Sequence, residues 1–307
     1  MSDKTSTAKA WISAFRLRTL PLALASIGMA AFIAASRGEY SAPVFWLSVL
    51  TTTLLQVLSN LANDYGDSIH GADSVERQGP SRAVQAGAIS PAAMKTGMYV
   101  CGILAFVSGV ALLYIALGTD WKALLFFLGL GLASIFAAVT YTAGKKPYGY
   151  AGLGDLSVLL FFGFTGVMGS LFLYNRNLEF SDLLPAISCG LFAVAVLNIN
   201  NIRDVKSDRL AGKFSLPVRI GIKKAVFYHF FLLSLGLILA VIYTLINYHS
   251  NWQFLFAVSV PMMIYNSLGV SRYGENPKRL DPFLKQMALT ALVFVLSFGS
   301  GLILAGS

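Results

Sequence analysis

Residues 60–82 read NLANDYGDSIHGADSVERQGPSR. The stretch closes an apolar run and then places four carboxylates, Asp64, Asp67, Asp73 and Glu76, within 13 residues. The rest of the chain is poor in acid. Of 307 residues, 56% are hydrophobic and only 12% are charged, with a mean hydropathy of +0.68. A water-soluble domain carries about 25% charged residues. Half that share implies lipid as the solvent, so the acids at 64–76 stand at the end of a membrane helix.

Nine windows are apolar enough to cross a bilayer: 20–36, 43–60, 96–117, 122–141, 154–174, 182–199, 225–247, 252–270 and 286–305. Each approaches the roughly 20 residues that a helix needs to span a core about 30 Å thick. The windows are continuously apolar and show no two-residue alternation, which excludes a membrane β-barrel and leaves helices. The fold class expected is an all-α membrane protein, with nine transmembrane helices in one bundle. The first window, LPLALASIGMAAFIAAS, has the apolar and small residues of a signal peptide. Its long polar leader and the eight windows that follow favour a mature helix. Residues 1–19, with Trp11, Phe15, Arg16 and Arg18, are expected to form a leader lying at the interface, and 20–307 a single transmembrane domain.

The basic residues give an orientation. With the N-terminus cytoplasmic, 20 of the 23 Lys and Arg fall in cytoplasmic segments, and only Arg37, Lys122 and Arg176 fall outside. This bias predicts an N-terminus inside and a C-terminus outside. It also accounts for most of the net charge of +9, so the charge is no argument for nucleic acid. Cys101 and Cys189 lie inside windows and the three His are scattered, so neither a disulfide nor a zinc site is expected.

In this orientation the long connections 61–95, 142–153, 200–224 and 271–285 share the cytoplasmic face and hold eight of the 14 acids; Asp3 and Asp155 bring that face to ten. Two clusters stand out. Gln56, Asn60, Asn63, Asp64 and Asp67 step by three and four, which makes one polar stripe at the end of the second helix. In NINNIRDVKSD, residues 198–208, Asn200, Asp204 and Asp208 step by four and Asn201 precedes Asp204 by three. This predicts a second stripe, at the end of the sixth helix. One such stripe alone is more often a solvated helix end. Acids at a helix C-terminus oppose the macrodipole, however, and carboxylates at membrane depth are costly. Two facing pairs would repel each other unless cations lie between them. Oxygen donors without His or Cys suit Mg²⁺, which binds a few carboxylates together with waters and substrate phosphates.

The motifs NDYGD at 63–67 and DVKSD at 204–208 resemble the two Asp-rich motifs of the UbiA superfamily of intramembrane prenyltransferases. The longer strings NLANDYGDSIHGADSVERQGPSRAVQAGAIS, YTAGKKPYGYAGLGDLSVLLFFG and NNIRDVKSDRLAGKFSLPVRIG look like the branch that prenylates 1,4-dihydroxy-2-naphthoate in menaquinone synthesis. RLRTLPLAL at 16–24 resembles the helix entry of that branch. In the wider superfamily the first motif often carries a further Asp, where this chain has Gly71; Asp73 lies two residues on.

The resemblance implies a polyprenyl diphosphate donor with its tail in the bundle and its head in a cytoplasmic cavity, and 1,4-dihydroxy-2-naphthoate as acceptor. Asp64, Asp67, Asp204, Asp208 and Asn63 would hold Mg²⁺, two ions bridging the diphosphate, with Asn60 and Asn201 beside them. Arg16, Arg82, Lys146, Asp155 and Arg203 would bind substrate, and Lys145 and Tyr148 would act at the reacting centre. The product would be a demethylmenaquinol, formed with loss of CO₂ and diphosphate at the bacterial inner membrane. Another aromatic acceptor, or a phytyl donor, is the alternative on the same scaffold. A cation transporter is the alternative outside enzymes, but its acids should stand near mid-span rather than at one face.

Overall fold

The computed structural model describes residues 4–70 and 82–306. Gly71, Asp73 and Glu76 lie outside the described residues. Among the described residues no strand occurs, and nine helices are long and apolar enough to cross a membrane.

The first span begins with a break. A leader helix, Lys4–Phe15, stops at Arg16, whose backbone is left-handed at φ 49°, and one short turn (Leu17–Thr19) leads into Leu20–Ser36. The Thr19 hydroxyl donates to the Arg16 carbonyl oxygen at 2.9 Å and holds the corner. The leader does not stand alone. Ala14 is buried with Leu58, Leu61, Met94 and Met98, and Trp11 and Phe15 pack on the same cluster, so the leader docks on the second and third spans.

The second span, Ala42–Ile69, runs nine residues beyond the window read from hydropathy. Its last turns carry the NDYGD motif. They remain helical because one face is buried: Asn60, Asp64 and Asp67 are each 2–3% exposed. Gly66 explains the glycine in the motif. A Cβ there would lie 2.5 Å from the carbonyl carbon and oxygen of Thr142, so the helix and the 141–149 turn could not meet.

The third span (Pro91–Leu117) packs along the second, and the fourth (Trp121–Thr140) leans on both. The fourth has no buried residue, and Phe126 and Phe136 are open. Such a helix is stable only in an apolar solvent. The fifth span, Gly154–Asn175, contains a π-helical stretch, Leu159–Gly169. A Cβ on Gly163 would meet the Ala186 carbonyl oxygen at 2.8 Å, and one on Gly190 would meet Gly163 Cα at 3.2 Å. The glycines let the fifth and sixth spans approach backbone to backbone, as small residues do in membranes.

The sixth helix (Leu183–Arg203) is the axis of the second half. Most of its residues are buried, against the first, fifth, seventh (Ile222–Ile246) and ninth (Asp281–Gly306) spans. The eighth span ends in Val260–Tyr273. The DVKSD motif does not simply continue the sixth helix. The chain turns at Asp204 (φ −98°, ψ 9°) before a short helix, Val205–Leu210. At the opposite end of the bundle Arg37 bonds both oxygens of the fully buried Asp182, at 2.5 and 3.1 Å, and ties the first span to the sixth.

Candidate active site

Between the first six helices lies a cavity of about 400 Å³. Its body is apolar, with Leu112, Leu113, Phe127, Phe161 and Phe162 in the wall, and one end is polar, with Arg16, Asn60, Asn63, Asp67, Arg82, Asn201 and Lys213. The two motifs meet at this polar end.

In the first motif the carboxylates divide their work. Asp64 accepts from the backbone N–H groups of Ala83 and Val84, at 3.0 and 3.2 Å, and so anchors the chain that returns toward the third span. Asp67 faces the cavity. It accepts from the Tyr150 hydroxyl at 2.8 Å and pairs with Arg82 at 2.5 Å. Arg82 also donates to the Asn63 carbonyl oxygen. The Asn63 side chain accepts from the Thr142 hydroxyl at 2.9 Å. Asn60 donates to the Phe15 carbonyl oxygen and to the Thr19 hydroxyl, which fixes the Arg16 corner against the second span.

In the second motif Asp204 is held by its neighbour. Arg203 bonds both Asp204 oxygens at 2.8 and 2.9 Å, and also reaches Asp281 and Asn200, each at 2.8 Å. Asp208 pairs with Lys213 at 3.2 Å and accepts from the Ser215 hydroxyl at 3.1 Å. Burial raises the Asp208 carboxyl above the usual carboxylate range; Lys213 opposes that shift, and Asp204 adds to it. Burial alone would lower Lys213, but the carboxylates of Asp208 and Asp67 outweigh it and the ammonium is held charged. Burial pushes Tyr141, on the cavity wall, up to about 12, so its phenol is neutral.

The sequence-derived candidates sort clearly. Arg16, Asn60, Asn63, Asp67, Arg82, Tyr148 and Asn201 line the cavity. Asp208 lies directly behind Lys213, which does, and Asp64 is off the wall, bonded to the backbone of Ala83 and Val84. Asp204 does not share one stripe with Asp208 on the cavity: the turn at 204 sends its carboxylate to Arg203. Arg203 itself is 2% exposed and engaged with acids, off the cavity wall. Lys145 and Lys146 are exposed in the 141–149 turn and do not line the cavity either. Asp155 borders a small crevice beside Asn201 and Lys213, and bonds Tyr228. Lys213 is the residue that sequence reasoning missed. It looked like one more positive-inside lysine, and its only signal was its place five residues after Asp208. Tyr141 and Ser157, which bonds the Tyr148 hydroxyl at 3.0 Å, were missed as well.

The donor set fits a hard cation. Asp67, Asp208, Asn63 and Asn201 offer oxygens only, and the buried Asn201 Oδ1 on the cavity wall has no hydrogen-bond partner. Among the described residues no three His, Cys, Asp or Glu are already gathered as a ligand set. The carboxylates are neutralised by Arg82, Arg203 and Lys213 instead.

Apolar helices around a largely apolar cavity, with charge at its polar end, define an integral membrane protein built to hold an amphipathic ligand. Its fold is that of solved UbiA homologues. The apo homologue from Aeropyrum pernix K1 matches with a TM-score of 0.67 at 17% identity, covering 92% of this chain and 97% of that one. A homologue from Archaeoglobus fulgidus, solved bound to DMAPP and Mg²⁺, matches with a TM-score of 0.59 at 16% identity, covering 94% and 98%. The sequence profile of the UbiA prenyltransferase family matches residues 23–292. The chain belongs to that family. It is 43% identical to the 1,4-dihydroxy-2-naphthoate octaprenyltransferase of Escherichia coli (strain K12) over 99% of its length and 98% of that protein's. Identity to the Haemophilus influenzae protein of the same name is also 43%, over 96% of each chain.

Proposed function

We propose that this enzyme transfers a polyprenyl group from its diphosphate to 1,4-dihydroxy-2-naphthoate, releasing diphosphate and CO₂ and leaving a demethylmenaquinol. The observation that carries this reading is the polar end of an otherwise apolar cavity, in a chain 43% identical throughout to proteins named for that reaction.

The apolar body accepts the isoprenoid tail, and the polar end accepts the diphosphate. Asp67, Asp208, Asn63 and Asn201 would hold Mg²⁺, with Asp64 and Asp204 fixing the helix ends behind them. Bound there, the metal neutralises the diphosphate and stabilises the charge that builds on the leaving group. Arg16, Arg82 and Lys213 supply the remaining positive charge. As the donor's C–O bond breaks, its electron pair leaves with the diphosphate and an allylic cation forms. Water would quench that cation, and the apolar wall of the cavity disfavours it. Tyr148, held by Ser157 and by the Ala137 carbonyl oxygen, presents a neutral ring to the positive charge. The acceptor carbon bearing the carboxylate forms the new C–C bond, and CO₂ departs as aromaticity returns. The same reading puts the N-terminus and the cavity's polar end on the cytoplasmic face of a bacterial inner membrane, on the strength of the Lys and Arg distribution.

The test is to incubate membranes carrying the enzyme with labelled polyprenyl diphosphate, Mg²⁺ and a panel of aromatic acids. Prenylated naphthoquinol with release of CO₂ is expected, and EDTA should abolish it. Turnover of 4-hydroxybenzoate alone overturns the acceptor assignment, and full activity in EDTA overturns the metal.

A further inference from the structure

Lys213 differs from the other lysines whose side chains the structure describes. It is 7% exposed, and its ammonium stands 3.2 Å from Asp208 Oδ1. Its backbone N–H returns to the Asp208 carbonyl oxygen at 2.8 Å, so the turn that carries it is closed by the residue it neutralises. The next backbone N–H, of Phe214, donates to the Tyr150 carbonyl oxygen at 2.9 Å. The ammonium also lies 6.0 Å from the centroid of the Tyr150 ring, and the Tyr150 hydroxyl holds Asp67. One cation thus stands between the carboxylate of the second motif and the ring that fixes the carboxylate of the first. Arg82 on Asp67 repeats the arrangement on the other side. A divalent ion approaching Asp67 and Asp208 meets two protein cations already in contact with its ligands.

We propose that Lys213 is a resident counter-ion of Asp208 that competes with the divalent metal and is drawn off by an incoming diphosphate, so that metal and diphosphate bind as a coupled pair. The proposal rests on the metal reading above and adds an order to it. Without the anion, a metal at Asp208 leaves a buried ammonium unpaired, which is strongly unfavourable. With the anion in the cavity, whose wall includes Lys213, phosphate oxygens replace the carboxylate as its partner. Coupling of this kind is reciprocal. An enzyme wired in this way keeps its two carboxylate motifs from trapping metal in the absence of donor.

The experiment is a pair of titrations on the purified full-length protein in detergent. Mn²⁺ binding is followed by electron paramagnetic resonance with no diphosphate present, and binding of inorganic diphosphate is followed by calorimetry with no metal present. Lys213→Met and Lys213→Gln should bind Mn²⁺ at least about fivefold more tightly than wild type, and diphosphate at least about fivefold more weakly. Lys213→Arg should keep the wild-type behaviour in both. Opposite signs in the two titrations cannot come from a damaged fold, which weakens both. The Gln variant, still able to donate to Asp208, covers the case in which the Met variant does not fold. Unchanged or weaker Mn²⁺ binding in the neutral variants, with wild type still binding Mn²⁺ through Asp208, overturns the counter-ion proposal alone. No Mn²⁺ binding in any of the proteins overturns the metal reading as well.

Discussion

The two aspartate motifs look alike in sequence and differ in the fold. Each has one carboxylate devoted to holding the chain and one set at the cavity wall (Asp67) or just behind it (Asp208), but they hold the chain by different means. In the first, Asp64 binds two backbone N–H groups of the returning chain, and Asp67 meets Arg82 and Tyr150 at the cavity. In the second, Asp204 is locked to Arg203, which also bridges to Asp281 on the ninth span, and Asp208 is wrapped by Lys213 and Ser215. The first motif is built on an unbroken helix, whereas the second lies across a turn. A pair of acids four residues apart is therefore no guarantee of two equivalent ligands. The local backbone decides which oxygen reaches the substrate.

The largest effect should separate Asp204 from the rest. Asp204→Asn leaves the buried Arg203 guanidinium short of a counter-charge, and breaking a buried pair in this way costs about 3–5 kcal/mol. A marked fall in unfolding temperature in detergent is expected; an unchanged one would mean that Asp281 suffices for Arg203. Asp67→Asn should cost less stability, because Arg82 keeps its bond to the Asn63 carbonyl oxygen, and should lower kcat by about 10²–10³-fold, the usual cost of removing one element of transition-state charge stabilisation. Asp64→Asn should show its main effect as faster proteolysis near residues 82–84. If the two variants proved equal in kcat, the division of labour in the first motif would be wrong.

Tyr150→Phe sharpens the comparison further. It removes a neutral donor behind Asp67 and leaves the ring near Lys213. Partners behind a ligand are worth about 10- to 100-fold in metal affinity or activity, so an intermediate loss in Mn²⁺ binding is expected. The smallest effect belongs to Lys145→Gln and Lys146→Gln. Both side chains are exposed in the 141–149 turn, and surface changes of this kind stay within about 0.5 kcal/mol. Assays of kcat/KM should fall within about twofold of wild type. A loss of more than tenfold would bring the turn into the site when substrate binds.

Much of the architecture was legible because lipid imposes a simple rule: every span must be long, apolar and helical. The nine windows agree with the nine membrane-length helices found among the described residues. The windows failed at their ends, where polar residues continue a helix that hydropathy had closed. The second span runs to Ile69 because its polar face is buried against the 141–149 turn, which no local property of residues 61–69 announces. At the site, residue type gave the chemistry of the donors. Asp67, Asn63, Arg82 and Tyr148, named from their own helix or motif, line the cavity. Lys145, Lys146 and Arg203 were marked for their charge, yet the fold spends them at the surface or on a neighbouring acid.

The sequence by itself determined the solvent, the number of spans, the oxygen-only donor chemistry and the end of the bundle that carries charge. These follow from composition and from periodicities of three and four, which are local. Only the tertiary structure decided which charges meet. Lys213 lies close in sequence to Asp208, yet its burial beneath Tyr150 depends on a segment some 60 residues earlier, and Arg82 reaches Asp67 from the far side of a connection. Ion pairs inside a membrane protein are chosen by which helices pack together, because a buried charge must find a partner across space wherever the chain does not supply one.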